Sequence, residues 1–151
     1  MDLKDYIRRL DQVRRHLRQT ARENALVIAH DAKALVKKRV QSSGTNSEGQ
    51  QFAPYNTAYA KYGRNAKGYQ SEYVDFTRTG RMLGSLLPRV VSETDMRVIV
   101  EVVPRDDENR RKLAGQFKTR GNILALSTDE IKILNDTNAR RIKNEILKIL
   151  P

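Results

Sequence analysis

The chain has 151 residues and a mass of 17.3 kDa, and hydrophobic residues make up 38% of it. This size fits one domain with a modest core, and no apolar run reaches the ~18 residues that a membrane span needs. The absence of cysteine excludes disulfides, thiol chemistry and cysteine-based metal sites. The N-terminus lacks the apolar core of a signal peptide, so we expect the protein to stay in the compartment where it is made.

Positive charge is the strongest feature of the composition. The chain has 29 Lys and Arg against 18 Asp and Glu, which gives a formal net charge of +11. Of these charged side chains, 11 basic and 5 acidic ones lie in residues 1–40. Such an excess favours an anionic partner, which could be nucleic acid, an acidic protein surface or a membrane face. A solvated surface that only keeps the protein soluble accounts for the charge equally well.

The pattern of apolar residues predicts a long helix at each end of the chain. In residues 2–40 apolar residues recur every three or four positions without a Pro or Gly, which predicts one helix that ends at Ser42-Ser43-Gly44. Residues 127–150 form the second predicted helix, because Ser127 and Glu130 have the spacing of a capping box. The alanine-rich second half of the first helix should allow a neighbouring element to approach closely.

Between the helices the sequence predicts an irregular segment and then a small sheet. Residues 41–76 read as an extended loop, and residues 77–126 as a short helix and a sheet. The predicted elements of the second region are a helix at Thr79–Leu87, a hairpin of Arg89–Glu93 and Met96–Val103, a charged loop at Arg105–Lys112 and a third strand at Ile123–Leu126. The fold class is therefore α+β in a single domain, residues 1–151: a long N-terminal helix, a small antiparallel sheet with a β-hairpin, and a C-terminal helix packed on the sheet.

The residues that carry common catalytic chemistry do not form a recognisable pattern. Phosphate-binding loops and zinc-protease motifs are missing from the sequence. His16 and His30 lie on one predicted helix about 21 Å apart along its axis, so they cannot share a metal ion. We expect a protein that is not an enzyme and that needs no cofactor or metal.

The segment 52–78 is the best candidate for a binding surface. It combines tyrosines with basic residues, and such aromatic side chains are favoured at protein interfaces. Local core packing and base stacking on single-stranded nucleic acid are the alternatives for the same residues. The candidate interface residues are Phe52, Tyr55, Tyr59, Tyr62, Tyr69 and Tyr73.

The order of short motifs resembles that of the virion-morphogenesis, or tail-completion, family of long-tailed bacteriophages and prophages. The likeness runs from Gly49, Phe52-Ala53-Pro54-Tyr55, Thr57 and Lys61, through Asp75–Leu86, to Gly115-Gln116-Phe117 and Arg120–Ser127 before the last helix. The corresponding family patterns are a G-x-x-[FW]-x-P-L loop, a T-G-x-L-x-x-S turn and an R-x-F-L-G-L-S-x-x-D stretch. The family-motif positions in this chain are Thr79, Gly80, Arg81, Arg120 and Gly121.

The resemblance implies a structural virion protein at the junction of neck and tail, assembled in the cytoplasm of the bacterial host. Its implied partners are copies of itself in a ring, other neck and tail proteins, and DNA that passes through the lumen without sequence-specific contacts. Candidate contacts to the lumen or to an acidic partner are Arg8, Arg15, Arg22, Lys61, Arg64 and Lys67. The alternative is a nucleic-acid-binding protein that uses the basic N-terminal helix.

Overall fold

The computed structural model describes residues 2–95 and 97–150, and its architecture confirms the α+β prediction. Helix α1 spans Leu3–Ser43, the hairpin strands are β1 (Leu86–Thr94) and β2 (Arg97–Pro104), and helix α4 spans Thr128–Ile149. The short helix α2 (Arg81–Gly84) precedes the hairpin, and helix α3 (Asp107–Arg120) follows it. The sheet packs against α1, and α4 packs along α1 on the side that faces the sheet. Within the described residues, no helix is long and apolar enough to cross a membrane.

Helix α1 is predicted correctly and ends where the glycine requires it. Gly44 adopts a left-handed conformation with φ 63°, and its N–H donates to the carbonyl of Val40. Glycine adopts this conformation without a steric penalty, and it commonly ends helices in this way. The Ser42-Ser43-Gly44 signal therefore marks the C-terminus of the helix.

The hairpin is confirmed and starts three residues earlier than predicted. The strands pair antiparallel from Leu86 opposite Pro104 to Thr94 opposite Arg97, with a bulge between Val90 and Ser92. The predicted start of the second strand, Met96, lies outside the described residues. The prediction of a helix over Thr79–Leu87 is wrong at both ends, because the helix is confined to α2 and Leu86 is buried as a strand residue.

Two other segments between the helices differ from their predictions. The predicted charged loop at 105–112 is mostly helix α3. Asp106 is the N-cap of this helix, and its side chain accepts a hydrogen bond from the Asn109 N–H at 2.9 Å. The predicted third strand at 123–126 is a turn in which the Asn122 side chain accepts from the Leu124 N–H at 3.1 Å. Local side-chain capping decides both cases, as it often does for Asp and Asn.

The predicted capping box starts α4 and also ties it to α1. The Ser127 hydroxyl accepts from the Glu130 N–H at 3.2 Å, and the Glu130 carboxylate accepts from the Ser127 N–H at 2.8 Å. The same carboxylate accepts from Arg39 Nε at 2.9 Å, and the Arg39 guanidinium also donates to the carbonyls of Thr45 and Ala125. One arginine of α1 thus fixes three separate segments.

The core lies between α1, the hairpin and the irregular segment. Its buried members are Val36, Val40, Phe52, Val74, Met82, Leu83, Leu86, Leu113 and Ile123. Phe52 and Val74 come from the segment predicted as an extended loop. That segment contains a π-helix at Tyr59–Arg64 and a 3₁₀ turn at Asn65–Lys67, so part of it is helical.

Candidate functional site

The segment 52–78 folds around a buried ion pair between Arg64 and Asp75. Arg64 is the last residue of the π-helix, and Gly68, with φ 75°, turns the chain back so that Asp75 lies beside it. Arg64 Nη2 donates to both carboxylate oxygens of Asp75, at 2.9 and 3.2 Å, and the two residues are only 1% and 3% exposed. Charged residues are almost never buried to this extent unless they are paired.

The Asp75 carboxylate accepts further hydrogen bonds from the same segment. Gln70 Nε2 donates at 2.6 Å, the Thr77 hydroxyl at 2.5 Å, the Thr77 N–H at 3.0 Å and the Tyr55 hydroxyl at 3.1 Å. Burial raises the pKa of Asp75, but these hydrogen bonds and the charge of Arg64 outweigh it and hold the pKa below its ordinary value. Asp75 is therefore an anion in the folded protein.

The Arg64 guanidinium is almost wholly buried, and its Nε and Nη2 donate to groups of its own segment. Its Nε donates to the Gln70 carbonyl at 2.6 Å, and its face stacks on the Tyr55 ring at 4.6 Å. Burial in turn raises the pKa of the Tyr55 hydroxyl above its ordinary value. The expectation that Arg64 contacts a lumen or an acidic partner is wrong, because the residue neutralises a carboxylate of its own chain.

A pocket of about 570 Å³ opens beside this ion pair. We call it the basic pocket, and its lining comes from the segment 55–64, the turn before α2, and helix α3. The lining residues are Tyr55, Asn56, Tyr59, Arg64, Phe76, Arg78, Thr79, Met82, Lys112, Gln116 and Arg120. In the described part of the chain this lining contains no Asp or Glu, although Lys112 pairs with Glu108 outside it.

Cations cover the aromatic rings of the basic pocket. Arg78 lies over the Tyr59 ring at 5.8 Å, and Arg120 lies over the Phe76 ring at 5.9 Å. Phe76 has φ 55°, a left-handed conformation that is uncommon for a bulky residue and that costs of order 1–3 kcal/mol. Its ring also packs against the core residue Phe52. The backbone at Phe76 is therefore held under strain where the pocket meets the core.

The predicted aromatic interface residues do not share one surface. Phe52 is buried in the core, so the expectation that it lies at an interface is wrong. Tyr73 donates its hydroxyl to the Gln41 carbonyl at 3.2 Å and fixes the segment to α1. Tyr55 and Tyr59 line the basic pocket, whereas Tyr62 and Tyr69 are exposed. Lys61 lies over the Tyr62 ring, and Lys67 is exposed in the 3₁₀ turn.

The candidate arginines of α1 are exposed and engage acceptors of their own chain. Arg8 pairs with Asp5 at 3.0 Å, and Arg22 pairs with Glu93 at the hairpin tip at 3.3 Å. Arg15 Nε donates to the Asp11 carbonyl at 3.3 Å. Pairs as exposed as these are weak, so the side chains can exchange partners. Near the same end of α1, four large apolar side chains are exposed: Leu3, Tyr6, Ile7 and Leu10.

Two of the family-motif positions lie in the basic pocket, although they are far apart in the sequence. Thr79 and Arg120 both line it, while Gly80, with φ 64°, and Arg81 form the start of α2. Gly121 ends α3, and its N–H donates to the Phe117 carbonyl. Sequence reasoning missed Lys112 and Gln116 as members of the site. Lys112, Gln116 and Arg120 follow one another at intervals of four residues, which would have placed them on one helix face, had α3 been predicted.

Metal ligands are not grouped in the part of the chain that the structure describes. There, groups of three or more His, Asp or Glu residues that could hold a metal ion are absent. His16 instead lies 2.9 Å from a Glu145 carboxylate oxygen and connects α1 to α4.

Comparisons with models of protein families, with curated proteins and with solved structures returned no match.

Proposed function

We propose that this chain is a structural protein of a tailed bacteriophage or prophage virion, acting at the head–tail junction as a tail-completion or connector protein. One observation carries the proposal. The three stretches that resemble the family, which lie far apart in the sequence, contribute Tyr55, Thr79 and Arg120 to the same basic pocket. A contact surface shared by a family requires such convergence. The convergence therefore supports the resemblance to the family over a chance likeness of three short motifs.

In this proposal the subunits form a closed ring around the path of the DNA. A ring needs two unlike surfaces on each subunit that fit each other. The exposed apolar side chains near the start of α1 supply one surface, since Leu3, Ile7 and Leu10 follow one stripe of the helix. The net charge of +11 suits a lumen through which DNA passes without sequence-specific contacts.

The proposal is tested in the phage or prophage that encodes the chain. In-frame deletion should leave DNA-filled heads and separate tails that electron microscopy finds unjoined, and a plasmid copy should restore joined particles. An epitope tag on the plasmid copy should label the junction. Joined, infectious particles from the deletion strain would refute the proposal.

The alternative function, nucleic-acid binding through α1, rests on the spacing of its arginines. Arg8, Arg15 and Arg22 are seven residues apart and therefore follow one side of the helix, where all three are exposed. Asp5 and Asp11 lie among them, which weakens the field that a phosphate backbone would meet.

Filter binding of linear DNA across a salt series distinguishes the two functions. Because each neutralised phosphate releases counterions, a DNA-binding helix predicts tight binding that falls steeply with salt and weakens in the R8Q/R15Q/R22Q variant. We expect weak binding by the free subunit at physiological salt. Tight, salt-sensitive binding together with normal particle assembly by that variant would favour the alternative.

A further inference from the structure

We infer that the basic pocket is a recognition site for an acidic, partly apolar segment of a partner protein. The inference rests on the proposed function in one respect, since the partner whose chemistry it describes is taken to be a protein of the same assembly. The pocket's volume of about 570 Å³ lies within the ~300–1,000 Å³ of ordinary binding sites, and this size accommodates a few side chains.

The charge of the pocket selects an anion. Arg64 is neutralised by Asp75 and Lys112 pairs with the exposed Glu108, but Arg78 and Arg120 also line the cavity, and neither has a carboxylate partner among the described residues. Arg78 lies over the Tyr59 ring, an arrangement that uses the face of the guanidinium and leaves N–H groups at its edge. Arg120 lies over the Phe76 ring in the same way, and although its Nε donates to the Ala53 carbonyl and its Nη1 to Gln116 and Thr119, its Nη2 also remains at the edge. Those edges match the two oxygens of a carboxylate.

The rings of the pocket argue against nucleic acid as the occupant. Base stacking needs a free aromatic face. Arg64 lies over Tyr55, Arg78 over Tyr59 and Arg120 over Phe76, so one face of each ring already has a cation on it. The Tyr55 and Tyr59 rings also pack edge-on against each other, and the Phe76 ring packs against Phe52, which further restricts the approach of a base. Contacts to a phosphate backbone alone would not need the apolar floor that Phe76 and Met82 provide.

The same floor indicates what accompanies the carboxylate. Met82 is 8% exposed and the Phe76 ring packs onto the core, so both present fixed apolar surface beneath the basic groups. An apolar side chain next to an Asp or Glu fills this space while the carboxylate reaches the arginines. Tyrosine and arginine are among the residues that most often dominate binding energy at protein interfaces.

Fluorescence anisotropy with the purified full chain tests the inference. The probe is a short fluorescein-labelled peptide that repeats Asp-Asp-Phe, its control is the Asn-Asn-Phe counterpart, and a short labelled DNA duplex is the third ligand. We expect the acidic peptide to bind at physiological ionic strength and the neutral peptide to bind at least about tenfold more weakly, since charge-assisted hydrogen bonds are lost.

The variant R78Q should weaken binding of the acidic peptide about tenfold, and K112Q provides a second variant of the pocket. The matched control is R111Q, which removes the same charge from an exposed position of α3 outside the pocket. Urea unfolding of each variant establishes that it is folded. Three results would each overturn the inference. R78Q and R111Q could weaken peptide binding equally, the acidic and neutral peptides could bind equally well, or the DNA duplex could bind in place of the peptide and depend on Arg78.

The binding assay and the particle assay fail independently. If the peptide does not bind but deletion still yields unjoined heads and tails, only the assignment of the pocket is wrong. If the peptide binds as expected but deletion has no effect on particles, the proposed function is wrong and the pocket remains a site for acidic segments.

Discussion

Replacement of Asp75 by Ala should be among the most destabilising single changes in this protein. The substitution removes the acceptor for Arg64, Gln70, Tyr55 and two donors of Thr77. It leaves a buried guanidinium whose remaining acceptors among these residues are the Gln70 carbonyl and, at 3.5 Å, the Thr77 hydroxyl. Removal of one partner of a buried ion pair costs about 3–5 kcal/mol. Since whole domains are stable by only about 5–15 kcal/mol, this is a large fraction of the total.

Urea unfolding followed by circular dichroism measures this loss. At about 2–4 °C per kcal/mol for a domain of this size, the thermal midpoint should also fall by roughly 6–20 °C. The variant D5A serves as a control, because it removes a carboxylate from the exposed pair of Asp5 with Arg8 and should leave the midpoint nearly unchanged. A loss below about 1 kcal/mol in D75A would refute the reasoning, since it would mean that water solvates Arg64 in the folded protein.

Three further changes test other parts of the structure. Stability should fall as the pH drops below about 4, because the pKa of Asp75 is lower in the folded protein than its ordinary value of 3.8, and acid titration of D75N should lack this contribution. G44A should lower the free energy of unfolding by more than the ~1–2 kcal/mol that a left-handed backbone costs a non-glycine residue, because an added Cβ would also lie 2.7 Å from the Tyr73 ring. G115A should instead raise it by about 0.5–1 kcal/mol, because Gly115 lies in helix α3 and an added Cβ there would meet open space. Urea unfolding measures both changes. I7S/L10S should abolish self-association in sedimentation experiments without lowering the unfolding midpoint, since both side chains are exposed, and persistent association would exclude this stripe as a contact.

The sequence predicts those elements whose signals are local and regular. Helix α1 and the hairpin follow from periodic apolar residues, and α4 follows from a capping box with standard spacing. Helix α3 is not predicted, because Leu113 is its buried apolar residue and its other positions are mainly charged. The N-cap at Asp106 and the acidic first turn stabilise it, and such signals are weak when no apolar stripe accompanies them.

The candidate site depends on contacts between residues that are distant in the sequence. Composition suggested that Arg64 belongs to a basic surface, yet the fold buries it against Asp75. The residues next to Arg64 in the sequence do not indicate that it is buried, because its partner Asp75 is brought beside it by the turn at Gly68. The pocket likewise needs α3 to bring Arg120 next to Phe76, and that helix was not predicted.

The buried pair and the pocket are one physical unit, and this decides which variants can test the site. Arg64 supports the Tyr55 ring from one side, and Asp75 holds the Tyr55 hydroxyl, so the wall of the pocket depends on the pair beneath it. Loss of peptide binding in D75A would therefore follow from a collapsed wall as readily as from a lost contact. Arg78 is different, because it lies on the outer side of Tyr59 and is exposed to solvent. Its replacement removes a charge from the pocket while the buried pair stays intact, so R78Q reports on recognition where D75A reports on folding.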